Sequence, residues 1–152
     1  MTEVEEFFRA SIPAGWFTGP ARIDEDGDEI VCVGGLSPGV SVEGFRESSR
    51  PERVTIAAEA ESRFGRKVSW GVERDGLTSM FTSVSLPVMT RLRLPERSVL
   101  DTLISGGVAR SRSEALAWCV KLVGRHQAEW LEDLRGAVAE VRTVRDEGPA
   151  LI

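Results

Sequence analysis

Between Val88 and Leu94 polar and apolar positions alternate, so that Val88, Thr90, Leu92 and Leu94 fall on one face of an extended chain and Met89, Arg91 and Arg93 on the other. The period then changes. Val99, Leu100, Leu103 and Ile104 recur at helical spacing, and Pro95 suits the first turn of a helix, where no intrahelical donor is needed. Gly106-Gly107 breaks that helix. Ser111-Arg-Ser-Glu114 has the form in which a hydroxyl and a carboxylate three residues on cap a helix start, predicting a second helix from about Arg112. Its stripe of Leu116, Cys119, Val120 and Val123 needs a partner, because neither helix is long enough to be stable alone. A strand over Met89–Pro95 would likewise leave its backbone unpaired, which invites a second copy of the chain to pair with it.

The pattern is weaker in the first 87 residues. Phe7, Phe8, Ile12, Trp16 and Phe17, punctuated by Pro13, Gly15 and Gly19-Pro20, predict an irregular apolar lead-in docked on a core. Ile30 to Val33 reads as a short buried strand, and Gly34 to Gly44 as a loop. A helix is expected from about Arg50 to Phe64, with Ser49 and Glu52 as a capping box, Pro51 in the first turn and Gly65 after the end. Val68, Trp70 and Val72 alternate, Asp75-Gly76 signals a hairpin, and Leu77 to Leu86 is expected to return. The fold class is therefore α+β. A βαββ-like layer over residues 1–87 precedes a strand-helix-helix unit over 88–125. A packing helix follows over 126–147, where Leu131, Leu134, Val138 and Val141 alternate at spacings of three and four. Two heptads are too few to stand alone as a coiled coil. Gly148-Pro149 should end it, leaving an Ala-Leu-Ile tail.

The short strand ending in Leu-Pro-Glu, the helix, the glycine turn and the Ser-Arg-Ser-Glu cap together resemble the ribbon-helix-helix DNA-binding family. The resemblance implies a homodimer whose two strands form an antiparallel ribbon in the major groove of DNA. It assigns base reading to Met89, Arg91 and Arg93, arginine suiting guanine and methionine a thymine methyl. It assigns phosphate anchoring to the start of the second helix, Ser111 to Ser113, with Arg110 and Arg112 in support. The N-terminal half resembles no characterised family, and the chain as a whole resembles uncharacterised actinobacterial proteins.

Charge changes this picture only when divided along the chain, whose net charge is −5. Residues 1–87 hold 9 basic and 15 acidic side chains, whereas residues 88–135 hold 8 and 6, so the basic surplus is confined to the candidate DNA-binding segment. An acidic first half weakens non-specific phosphate attraction and favours dependence on base contacts and assembly.

Other chemistry finds little footing. Two cysteines, Cys32 and Cys119, in apolar contexts read as buried free thiols, and with the single His126 they exclude the usual zinc sites. Asp24 to Glu29 lacks the glycine spacing and distal glutamate of a calcium loop and reads as a hairpin turn. Gly34 to Gly39 lacks the lysine of a phosphate loop and is not expected to lead directly into a helix. Trp16 and Trp70 read as core, or as walls of a pocket for a flat effector; Trp118 and Trp130 flank the later helical face. There is no nucleophile and base pair to suggest an enzyme, no cofactor motif, and no apolar run of about 18 residues or basic leader. The expectation is a cytoplasmic, nucleoid-associated transcriptional regulator whose partners are double-stranded DNA, a second copy, and a protein or small-molecule effector. The alternative is an antitoxin-like adaptor that uses the same unit only to dimerise and its N-terminal half to bind protein.

Overall fold

The computed structural model describes residues 1–150, so the last two residues of the expected tail lie outside it. The chain divides into two compact units, with the boundary in sequence between Pro87 and Val88.

The first unit opens with a helix, α1 (Glu3–Ser11), where an irregular lead-in was expected. Thr2 and Glu5 form a reciprocal capping box: the Glu5 N–H donates to the Thr2 hydroxyl at 3.1 Å and the Thr2 N–H to the Glu5 carboxylate at 2.6 Å. Val4, Phe7 and Phe8 then fall on one buried face before Pro13 follows the helix end. Strands β1 (Arg22–Glu25) and β2 (Glu29–Gly35) form an antiparallel hairpin, so the acidic run Asp24 to Glu29 spans its two strand ends and the turn between them at residues 26–28. There the Asp26 carboxylate accepts the N–H groups of Asp28 and Glu29, both at 2.9 Å, and these bonds hold its pKa below the ordinary range.

Helix α2 (Val42–Phe64) crosses to β3 (Lys67–Arg74), which runs parallel to β2. The helix starts at Val42, not near Arg50, because Ser41 rather than Ser49 is its cap, accepting the Gly44 N–H at 3.2 Å. The stretch after Gly34-Gly35 therefore does lead into a helix. Pro51 sits inside α2, at a cost of about 3 kcal/mol in an isolated helix. The preceding turn is supplemented by side chains: the Ser49 hydroxyl donates to the Phe45 carbonyl at 2.6 Å, and Arg53 donates to Ser49 Oγ and the Arg46 carbonyl. Burial of Phe45, Ser49, Arg53, Ile56 and Ala60 along one stripe outweighs the proline.

A turn at Asp75-Gly76, both at positive φ (52° and 75°), joins β3 to antiparallel β4 (Leu77–Met80), completing a four-stranded sheet of order β1-β2-β3-β4. The last strand is shorter than expected. Phe81 turns inward, its N–H donating to the Trp70 carbonyl at 2.7 Å, and the Thr82 hydroxyl takes the Trp70 N–H at 2.9 Å in place of a backbone partner. The core gathers Phe8, Ile30, Cys32, Trp70 and Val72 between sheet and helices. Trp16 and Trp70 are packing residues within it, ring centroids 6.3 Å apart, with Trp16 edge-on to Phe45 and Trp70 edge-on to Phe8. Gly34 is required by close approach, since a Cβ there would lie 2.2 Å from the Phe17 ring.

The second unit comprises α3 (Leu94–Ser105), α4 (Arg112–His126) and α5 (Ala128–Glu147). Residues 88–93 form no strand, in contrast to the expected ribbon. A strand is defined by its neighbour, and none of the described residues pairs with that segment. Leu100, Ala109 and Ala115 are the buried centre of the unit, with Leu92, Leu103, Ile104, Leu116 and Cys119 partly buried against them. Gly107, at φ 79°, turns the chain between α3 and α4. Only Gln127 separates α4 from α5, its N–H bonding back to the Val123 carbonyl and its own carbonyl accepting from Leu131.

Candidate nucleic-acid interface

The candidate side chains lie on two stretches of the second unit. The first is the segment leading into α3. Met89 is 95% exposed and Val88 89%, and Arg91 and Arg93 are exposed as well. Of the apolar face expected in this segment, only Leu92 is packed against the small core, while Val88, Thr90 and Leu94 are exposed. Arg97 fixes the exit of the segment by donating to the Leu92 carbonyl at 2.6 Å. Pro95 then sits in the first turn of α3, as its fixed φ favours.

The second stretch is the start of α4. Ser111 caps it, accepting the Glu114 N–H at 3.1 Å, while the Glu114 carboxylate reaches one residue further back than a reciprocal box requires and accepts the Arg110 N–H at 3.2 Å. The N–H groups of Arg112 and Ser113 have no acceptor among the described residues, and both residues are exposed. They point outward at the positive end of the helix dipole.

The expected anchoring arginines differ in their surroundings. Arg112 pairs with Asp101 of α3 through two bonds of 2.9 Å. That guanidinium holds the Asp101 carboxyl below its ordinary pKa, and Asp101 raises that of Arg112. The pair ties the start of α4 to α3, and it partly occupies the charge expected to meet phosphate. By contrast Arg91, Arg93 and Arg110 take part in no ion pair among the described residues. From Val88 to His126 the chain carries seven basic and three acidic side chains. His126 is exposed at the end of α4. The sequence placed the start of α4 at Ser111 and Arg112, but the strand expected to carry Met89, Arg91 and Arg93 is not formed, and the Asp101–Arg112 pair was not legible, since partners on adjacent helices share no periodicity.

Elsewhere the chemistry is sparse. A cavity of about 660 Å³ in the first unit is lined by Phe8, Arg9, Ile12, Phe17, Pro20 and Ile23, among others, and neither Trp16 nor Trp70 is part of its wall. The proline and glycine punctuation after α1 was its only sequence signal. Among the described residues no group of three His, Cys, Asp or Glu side chains is placed to hold a metal, and no helix is long and apolar enough to cross a membrane. Cys32 and Cys119 are free thiols.

Comparison with known proteins gives matches in both units. Residues 2–80 match the family described as Rv1265-like protein, N-terminal domain, and residues 93–145 that described as Mb1296 C-terminal domain. Neither description names a ribbon-helix-helix family. The chain is 50% identical over 159 aligned positions to uncharacterized protein Rv1265 of Mycobacterium tuberculosis and to uncharacterized protein Mb1296 of Mycobacterium bovis. Each alignment covers 96% of this chain and 70% of the relative. No solved structure matches.

Proposed function

The chain belongs to the family of Rv1265-like proteins, and we propose that it acts as a homodimer that binds double-stranded DNA in a sequence-specific way and regulates transcription. The observation that carries this reading is the segment Val88–Arg93. It alternates polar and apolar residues and is exposed except at Leu92, and among the described residues it has no strand partner and its two arginines have no acidic partner. In the proposed complex two such segments pair antiparallel as a ribbon-helix-helix dimer, which satisfies their backbones and turns Met89, Arg91 and Arg93 toward base edges. Each bidentate arginine–guanine contact contributes about 1–3 kcal/mol of discrimination. The free N–H groups of Arg112 and Ser113, with the Ser111 cap and Arg110, take a backbone phosphate and set the register. This reading assigns the chain no catalysis and places it on the chromosome in the cytoplasm.

The test is recovery and sequencing of sheared genomic DNA bound by the purified protein at moderate salt, with the Arg91→Ala/Arg93→Ala variant alongside. The proposal expects a repeated motif that disappears in a variant still dimeric and folded. The acidic surplus of residues 1–87 favours one other reading, an adaptor that dimerises through the second unit and binds a protein through the first. No enrichment by a dimeric wild type would shift the weight to that adaptor.

A further inference from the structure

Helix α5 is 20 residues long and none of them is buried. At helical spacing Trp130, Leu134, Ala137, Val138, Val141 and Val144 share one side. The large residues among them are 42–69% exposed. The two margins of that side carry opposite charge: Arg135 and Arg142 border it on one flank, and Asp133, Glu140 and Glu147 on the other, and Arg145, engaged by Asp146, closes its apolar part at the C-terminal end. Within the chain Arg135 reaches only Glu132, in a pair whose side chains are 70% and 77% exposed and which therefore contributes little. Arg142 has no acidic partner among the described residues.

We infer that α5 packs against α5 of a second copy of this chain, the two helices side by side and pointing the same way. The charge pattern selects both partner and direction. When two copies face each other in parallel about a two-fold axis, the basic flank of each lies beside the acidic flank of the other, so the surface is complementary to itself. In the opposite direction Arg135 and Arg142 would meet their own copies. Val138 at one core position and Leu134 at the other also match the preference of parallel two-stranded seams for β-branched and leucine side chains.

The inference rests on the homodimer of the proposed function, though not on DNA. The apolar area that α5 exposes is on the order of 500 Å², below the ~800 Å² per partner of a standard stable interface. The α5 pair therefore extends a dimer built by the rest of the second unit, whose own buried centre is only Leu100, Ala109 and Ala115.

The experiment uses the full chain with Cys119→Ser, carrying either Val138→Cys in the seam or Thr143→Cys on the opposite face, oxidised mildly and compared on non-reducing gels beside a mass measurement in solution. In the parallel pair residue 138 meets its own copy, so Val138→Cys should form covalent dimers about tenfold or more faster than Thr143→Cys. Arg135→Glu/Arg142→Glu should slow that cross-linking, and adding Asp133→Arg/Glu140→Arg should restore it. A dimeric protein that cross-links no better at 138 than at 143 would overturn the α5 pair while leaving the homodimer standing. A monomeric protein would overturn both.

Discussion

Proline placed in the segment before α3 separates a ribbon from a solvated linker with little ambiguity. Within the chain, the backbone groups of Met89 and Thr90 make no hydrogen bond to other described residues, and the nearby Leu92 carbonyl accepts only the Arg97 side chain. Met89→Pro or Thr90→Pro therefore breaks nothing inside one copy. In an antiparallel ribbon alternate residues donate across the pair, so one of these two neighbouring substitutions must remove a ladder bond, and two-fold symmetry removes it twice. Each loss leaves a carbonyl without its donor, at about 1–3 kcal/mol. The dimer should weaken by about 2–6 kcal/mol, a rise of about 30-fold to 10⁴-fold in its dissociation constant. Sedimentation equilibrium over a wide concentration range measures this directly. If both variants associate as the wild type does, the segment does not pair across copies and the ribbon is refuted.

Two further outcomes are expected. Burial pushes the Cys32 thiol up to about 12 from an ordinary 9.0, so above pH 9 the unfolded chain ionises this group and the folded chain does not. The first unit should lose stability as pH rises from about 9 toward 12, by about 1.4 kcal/mol per pH unit, and Cys32→Ala should flatten that slope in urea titrations at several pH values. Leu100→Ala should cost the second unit about 2–5 kcal/mol, as for other buried leucines. With so few buried neighbours to compensate, differential scanning calorimetry should show the second unit melting early while the first unit's transition stays in place.

The sequence was most legible where one residue type has one local meaning. Asp75-Gly76 marked the β3–β4 turn because two consecutive positive φ angles demand it, and Ser111 and Gly106-Gly107 bracketed the start of α4. It misled where two signals competed. Pro51 and Ser49 read together as a helix start, yet the buried stripe from Phe45 to Ala60 carries α2 straight through both. Phe7 to Phe17 read as one irregular stretch because Pro13 and Gly15 break its second half, although the Thr2–Glu5 cap starts a nine-residue helix that takes in Phe7 and Phe8. Period-two alternation at 88–94 implied two faces, but a strand is a relation between two segments, and residues 88–93 have no strand partner among the described residues. For the candidate site, Met89, Arg91 and Arg93 are exposed, but so are Val88, Thr90 and Leu94 of the alternate positions, and the engagement of Arg112 by Asp101 depends on how α3 and α4 cross.

The single-residue break at Gln127, at φ −117° and ψ 25°, makes α5 a lever. Its 20 residues span about 30 Å, so a swing of about 10° at that one joint carries the far end about 5 Å, nearly a full helical pitch. Reach and aim of the C-terminal helix are thus governed at its root. A change confined to Gln127 would decide which surfaces Val141 and Val144 can meet.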